Sequence, residues 1–322
     1  ILHNDHEVAF DVNIRIVDNS KIMNFTSYLI RTDEQMFTAN DPEAVRRMYS
    51  NDESLRIRQD THDKYGVPAI DFAGWSLDNL KWNGYESILD VGCGPGRWYH
   101  AIQKKFPQAS YYGIDLFPGM IARHPAPSRL ALADAQRIPF PDETFDVVMA
   151  NHMLFHVPDI DRALREFRRV LKPDGSVMAT TNSIHNMPEL QQIIRRAITL
   201  LAPPGTTSIR VPGQAADLFS LESGTRMLSR HFYAVVRYDL PRTLVFQSVD
   251  PVLAYLDSTR SVREAELPDG VNWDDVMVIV REQITRLVEH FGELVINSLT
   301  GLLVATDRGD FIHDYLDAEA AV

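Results

Sequence analysis

Between residues 87 and 182 short apolar runs alternate with amphipathic stretches. SILDV at 87–91 is a strand candidate, and a glycine-rich turn leads from it into a helix over 96–105, with Trp98, Ile102 and Phe106 on one face. SYYGIDL, LALADA, FDVVMAN and SVMATT read as four further strands. The segment 161–171 places Leu164, Phe167, Val170 and Leu171 on one stripe, with arginines opposite. Strands that alternate with helices in this way form βαβ units and a parallel sheet. Their near-continuous apolar character suits a sheet covered on both faces.

The flanks are less regular. VAFDVNIRIV alternates as a half-buried strand would, within an N-terminal extension over 1–40. A helix opens at Asp41-Pro42-Glu43, with an acid as N-cap and proline in the first turn, and the run stops at Tyr65-Gly66-Val67-Pro68. A short helix is expected over 75–80. Beyond 184, a helix over 188–202 ends at Pro203-Pro204-Gly205, and 206–220 is loop-like. Strands are expected at 233–240 and 244–246, and a long helix over 273–291 ends at Gly292. LVINSLTGLLVAT then reads as a strand pair or one bent strand. Residues 41–183 form the ligand-binding core with its cover helices. Residues 184–322 complete the same domain, and the helical part, about 247–291, is either extra core or a lid over a substrate.

Composition narrows the function. Of 322 residues, 45% are hydrophobic and 24% charged, as in ordinary globular proteins, and the formal net charge is -12. That charge argues against a nucleic-acid surface, which needs a basic stripe. A single cysteine, Cys93, forbids an intrachain disulfide and a multi-cysteine zinc site. No apolar run approaches the roughly 18 residues that span a bilayer, and no basic-then-apolar leader is visible, so a cytoplasmic location is the expectation. Asn24-Phe25-Thr26 is a glycosylation sequon that matters only in a secreted chain.

The chemistry gathers at ILDVGCGPGRW, 88–98. A strand, a glycine turn and a helix start offer backbone N–H groups to a ligand. A dinucleotide fingerprint wants its third glycine where Arg97 stands. Asp115, at the end of the second strand, can accept bonds from ribose hydroxyls, and Asp134 can accept one from an exocyclic adenine amine. No pyrophosphate cradle accompanies them, which fits a single nucleoside with an amino-acid tail. A nicotinamide-dependent oxidoreductase remains an alternative. So does a non-catalytic binding or assembly protein, with residues 1–40 as a pairing arm of a homodimer.

With these motifs in order, the sequence resembles the class I S-adenosylmethionine-dependent methyltransferases of the small-molecule branch. LDVGCGPG, YGIDLFPGMI, ADAQRIPFPDETFDVVMANHMLFHVPD and LREFRRVLKPDG carry the resemblance, over about 41–182. It implies an α/β, Rossmann-like sheet of seven mostly parallel strands with helices on both faces, the last strand antiparallel. It implies that Gly92, Gly94 and Gly96 line the methionine end of the cofactor, with Asp90 near its ammonium group. Asp115 would hold the ribose hydroxyls with Leu116 against the adenine. Asp134 and Ala135 would meet the adenine edge, and Asn151 would sit beside the cofactor. In similar enzymes the preceding helices close over the cofactor, so Tyr65 or Arg58 would contact its carboxylate. S-adenosylhomocysteine would be the product.

Methyl transfer needs alignment and exclusion of water, and a base only when the attacking atom starts protonated. His152 and His156, in NHMLFHVPD, are the candidates for that base or for orienting the acceptor. Their alternative roles are local packing and a cap. No acid completes a metal site beside them, and Cys93 is most simply a small residue that fits the loop. No Asn-Pro-Pro-Tyr-like run follows the fourth strand. The expectation is a small-metabolite acceptor in specialised (natural-product) metabolism, attacked through N, O or C, with no nucleic-acid or membrane partner.

Overall fold

The computed structural model describes residues 40–206, 209–213 and 215–308. In chain order its elements are α1 (Pro42–Met48), α2 (Glu53–Tyr65), β1 (Gly66–Val67), α3 (Phe72–Asp78), β2 (Ser87–Val91), α4 (Arg97–Lys105) and β3 (Ser110–Asp115). There follow α5 (Pro118–Ile121), β4 (Leu130–Leu132), β5 (Phe145–Asn151), α6 (Ile160–Val170), β6 (Leu171–Asn182), α7 (Pro188–Leu201) and α8 (Leu221–Leu228). Then come β7 (Ala234–Phe246), α9 (Asp250–Asp257), α10 (Arg260–Arg263), α11 (Trp273–Phe291) and β8 (Leu294–Thr306). The strand, sequon and pairing arm expected within 1–40 lie outside the described residues, which begin at Asn40.

All eight strands join one sheet in the order β1-β7-β8-β6-β5-β2-β3-β4. The five strands β4, β3, β2, β5 and β6 run parallel, and β8 is antiparallel to both β6 and β7. The expected count was seven. The eighth is the two-residue β1, which pairs with β7 at Gly66↔Leu244 and Val67↔Thr243.

Successive residues along the strands face opposite layers, as the pleat requires. Leu89, Val148, Ala150, Val177 and Ala179 join the cluster that holds α6 through Leu164 and Phe167. Ile88, Val147, Met149, Met178 and Val304 join the cluster on the other face, with Leu77 of α3 and Ile102 of α4. Both faces of the sheet are therefore dry, and side chains such as Phe167 and Ile88 are fully buried. Each buried side chain of that size contributes ~1.5–3 kcal/mol.

Two elements differ from the sequence pattern, and two more are left open by it. The run from 41 to 65 is two helices, α1 and α2, because the chain breaks at Ser50 and Asn51, where the Asn51 side chain accepts the Glu53 N–H at 2.9 Å. The break leaves Tyr49 as the C-cap of α1. β7 is one continuous strand through Pro241. Proline is tolerated there because β1 covers β7 only opposite Thr243 and Leu244, so Pro241 has no neighbour on that side that needs its N–H. LVINSLTGLLVAT, a strand pair or one bent strand by its pattern, is the single strand β8, paired with β7 from Leu294 to Thr306. The helices over 247–291 divide in two. α9 and α10 supply Tyr255, Thr259, Val262 and Arg263 to a cavity wall, whereas α11 packs Val276, Val280 and Ile284 against Leu190, Ile194 and Ile198 of α7 as core.

α11 begins at Asn272, whose side chain accepts the Asp275 N–H at 2.8 Å. Asn272→Ala is expected to lower stability by about 1 kcal/mol, read as a shift in the urea midpoint without a change in slope.

Among the described residues no helix is long and apolar enough to cross a membrane, and no group of three or more His, Cys, Asp or Glu is placed to hold a metal ion.

Candidate active site

The strand order reverses at β2, with β3 on one side and β5 on the other. Open α/β sheets bind ligands beyond the carboxyl ends of strands at such a point. A cavity of about 650 Å³ lies there, lined by residues 91–95, by Asp115 and Leu116 after β3, and by Asn151, His152 and Met153 after β5.

The loop after β2 is built for close approach. Gly92 and Gly96 sit at φ 70° and 89°, where residues with a Cβ are strained. Space reinforces this: a Cβ on Gly92 would lie 2.9 Å from Met153 Cβ, and one on Gly96 would lie 2.7 Å from Pro125 Cδ. The loop is tied to β3 because the N–H groups of Gly92 and Cys93 both donate to the Ile114 carbonyl, at 2.8 and 3.0 Å. Cys93 turns away from solvent over Gly113, and burial beside Asp90 and Asp115 pushes its thiol far up. A buried, protonated thiol is packing rather than a nucleophile.

Asp115 is the pivot. Its Oδ2 accepts the Gly94 N–H at 3.0 Å and its Oδ1 accepts the Phe117 N–H at 2.9 Å. Burial raises its carboxyl, and these backbone bonds oppose the rise. A carboxylate has about four acceptor positions, and Asp115 lines the cavity, so acceptor capacity remains for a ligand. Asp134 also lines the cavity, oriented by the Gln136 N–H at 2.8 Å and the Gln136 amide at 3.1 Å. Leu116 lines the same wall with 54% of its surface uncovered, an apolar plate without a cover. Ala135 lies beside it.

Asp90 and Gly96 support the cavity and do not line it. Asp90 is fully buried at the end of β2, and its Oδ2 accepts the Tyr111 hydroxyl at 2.9 Å. Burial pushes its carboxyl up to about 7. Its Oδ1 and the Asn151 Nδ2 are both sealed without a hydrogen-bond partner, although the amide lies close enough to lower the carboxyl. Tyr111 contacts His124 Nε2 at 3.2 Å, and His124 Nδ1 accepts the Ala126 N–H at 3.1 Å. Nδ1 therefore carries no proton and Nε2–H faces the tyrosine, which leaves the tyrosine O–H for Asp90. Gly96 makes room for this chain, since a Cβ there would sit 2.9 Å from His124 Cδ2. Nothing in the pattern HPAPS marks His124, because the partner that draws it toward Asp90, Tyr111, lies on β3.

Tyr65 stands outside the cavity. Its ring centroid lies 4.7 Å from that of Phe246, within the apolar cluster of α7, α9 and α11. The large ring at the end of α2 finds an apolar partner on β7. Its neighbour Arg58 does line the cavity.

Both candidate histidines reach the cavity. His156 Nε2 lies 2.9 Å from the Tyr49 hydroxyl, which accepts a bond from Arg58 Nη2 at 3.3 Å. The tyrosine proton then points at His156, so Nε2 is the acceptor and is already engaged. His152 sits at φ 51° with its N–H on the Thr180 carbonyl at 2.9 Å and its ring 5.6 Å from Phe72. Burial first, then the positive charges of His62, Arg97 and Arg58, lowers its pKa to about 3. His152 is therefore neutral at physiological pH, and its ring makes no hydrogen bond within the described residues. His62, on α2, is lowered to about 4 by burial and then by Arg242.

Known proteins give the same picture. Residues 89–179 match a family profile described as a methyltransferase domain. The chain is similar to a malonyl-[acyl-carrier protein] O-methyltransferase of Halorhodospira halophila, at 34% identity over 32% of this chain and 37% of that protein. It is similar to a demethylmenaquinone methyltransferase of Lysinibacillus sphaericus, at 31% identity over 45% of this chain and 67% of that protein. The chain thus spans well under half of the first relative and two thirds of the second. Its fold is similar to that of a phosphoethanolamine N-methyltransferase of Haemonchus contortus solved with phosphomonomethylethanolamine and S-adenosylhomocysteine. That likeness has a TM-score of 0.50 and 14% identity, and covers 84% of this chain and 60% of that one. A glycine loop, two cavity-facing aspartates at successive strand ends and a relative matched over two thirds of its length converge: the chain belongs to the class I S-adenosylmethionine-dependent methyltransferase family.

Proposed function

We propose that this chain transfers a methyl group from S-adenosylmethionine to N, O or C of a small molecule, in specialised metabolism. The observation that carries the reading is a single cavity with two chemically distinct halves. One half offers the Asp115 and Asp134 carboxylates, the uncovered Leu116 and the glycine loop, a set that suits ribose, an adenine edge and the adenine face. The sealed Asp90 Oδ1 and Asn151 Nδ2 beneath the loop keep a polar floor under the end of the cavity that would take the amino-acid tail of the same cofactor. The other half is walled by Phe72, His62, His152 and Tyr255, large enough for a compact organic acceptor.

The bound cofactor would supply a sulfonium-activated methyl group. The chain's own residues would align the acceptor and keep water out. His152, held neutral, would accept a hydrogen bond from an acceptor N–H or O–H. A pKa of about 3 makes it a weak base, so it orients more than it removes a proton. His156, engaged by Tyr49, would fix the wall formed by α1 and α2.

Calorimetric titration of the folded protein with S-adenosylhomocysteine, beside NADH, tests the reading. Saturable one-site binding of S-adenosylhomocysteine alone is expected. Binding of NADH alone, or of neither, overturns it.

A further inference from the structure

The acceptor half of the cavity holds more positive charge than its carboxylates neutralise, in a chain whose net charge is -12. Arg58, Arg97, Arg242 and Arg263 all line it. Arg97 is paired with Asp63 at 2.9 Å. Among the described residues the other three hydrogen-bond only to neutral groups. Arg58 donates to the Ser258 carbonyl at 3.0 Å and the Tyr49 hydroxyl at 3.3 Å, and Arg263 to the Pro212 carbonyl at 2.9 Å and Thr259 Oγ1 at 2.7 Å. Arg242 donates from Nε to the Pro68 carbonyl at 3.2 Å and from Nη2 to the His62 carbonyl at 3.3 Å.

Arg242 is the best placed of these to meet a ligand. It projects from β7 with 8% of its surface exposed. A guanidinium carries five N–H hydrogens. Two are used, so three remain, including both on Nη1, with no partner among the described residues. A buried cation without a directly paired carboxylate is costly; burial lowers its pKa, and the nearby Asp63, itself paired with Arg97, offsets that only in part. The chain also leaves room for it. A Cβ on Gly66 would overlap Arg242 Nη2, yet Gly66 sits at φ -73°, where any residue is comfortable. Glycine at 66 thus serves the close approach of the guanidinium and of the His62 carbonyl, which a Cβ would meet at 2.6 Å, rather than a special backbone conformation. The adjoining His62 stays neutral and does not compete for an anion.

We propose that Arg242 receives a carboxylate of the methyl acceptor, so that the substrate is a small organic acid whose reactive atom lies toward His152. This rests on the methyltransferase reading. Carboxylate is the match because the free Nη1 and Nη2 hydrogens form a planar pair of donors, while the surrounding Phe72 and Tyr255 rings suit a flat carbon skeleton.

The test titrates protein saturated with S-adenosylhomocysteine with matched acids and amides: 4-hydroxybenzoate against 4-hydroxybenzamide, and indole-3-acetate against indole-3-acetamide. Wild type is expected to bind at least one acid on the order of tenfold more tightly than its amide. Arg242→Gln should abolish the preference and Arg242→Lys should retain part of it, with S-adenosylhomocysteine affinity within about twofold in all three. Equal binding of acid and amide by wild type, or a preference that survives in Arg242→Gln, overturns the proposal. Loss of S-adenosylhomocysteine binding in Arg242→Gln alone also overturns it, by giving Arg242 to the cofactor. Failure of wild type to bind S-adenosylhomocysteine is a different result and removes the methyltransferase reading itself.

Discussion

Asp115→Ala is expected to weaken S-adenosylhomocysteine binding by on the order of 100-fold, the loss that follows from removing a charged hydrogen-bonding group and loosening its surroundings. The residue acts twice. Its cavity side would accept bonds from the ribose, and its other lone pairs take the N–H groups of Gly94 and Phe117 at 3.0 and 2.9 Å. Alanine strands both donors, so the loop at 92–96 loses one of its ties to β3. The remaining ties, from Gly92 and Cys93 to the Ile114 carbonyl, keep the loop near its place. A stability loss of about 2 kcal/mol should accompany the binding loss. Asp115→Asn keeps the volume and one acceptor oxygen but turns an amide toward a backbone N–H, so it should fall between wild type and alanine. Calorimetry gives the affinity and a thermal melt gives the stability. An affinity within threefold of wild type for a folded Asp115→Ala protein would remove Asp115 from the cofactor site.

The parts of this molecule that were legible in the sequence are those set by local period and by backbone chemistry. The strands at 87–91 and 145–151 and the helices near 160–170 and 273–291 carry their own apolar pattern. The glycine loop is legible because its positive φ values exclude other residues. What escaped depends on contacts between distant elements. Pro241 looks like a strand break until β1 is known to stop short of it. Tyr65 looks like part of a cofactor cover until Phe246 is found beside it. His124 and Arg242 have no local signature, since Tyr111 on β3 and Gly96 in the glycine loop for the one, and the Pro68 and His62 carbonyls for the other, are distant in sequence. The paired sides of the cavity were therefore unequally readable. The side proposed to hold the nucleoside is written in strand-end motifs, and the side proposed to hold the acceptor is assembled from α2, α9, α10 and β7.

Stability should also fall steeply as pH drops from about 6.5 toward 4. His62 and His124 are lowered to about 4 and His152 to about 3, in each case chiefly by burial. In the unfolded chain each titrates near its ordinary value of about 6.5. Between those limits the unfolded state binds protons that the folded state refuses. The histidine contribution is therefore complete above about pH 6.5 and is lost as pH falls through the folded values. Each histidine lowers stability by about 1.4 kcal/mol per pH unit in that window. Asp90 works in the opposite sense. Burial raises its carboxyl to about 7, so the folded state takes up a proton that the unfolded chain declines until about pH 4, and the cost of burying its charge shrinks as pH falls. Counted over these four groups, three histidines against one carboxyl leave two protons net, a slope of roughly 3 kcal/mol per pH unit. A domain with 5–15 kcal/mol of stability would feel this within two units. Urea unfolding at pH 7, 6 and 5 measures the slope. Asp90→Asn removes the opposing group and should steepen it. His124→Asn removes one refusing histidine and should make it shallower, although the Ala126 N–H bond to His124 is lost at every pH and lowers the whole curve. A flat profile in wild type would mean that these rings take up protons inside the fold, and with them the picture of His152 as a neutral acceptor in the cavity would fall.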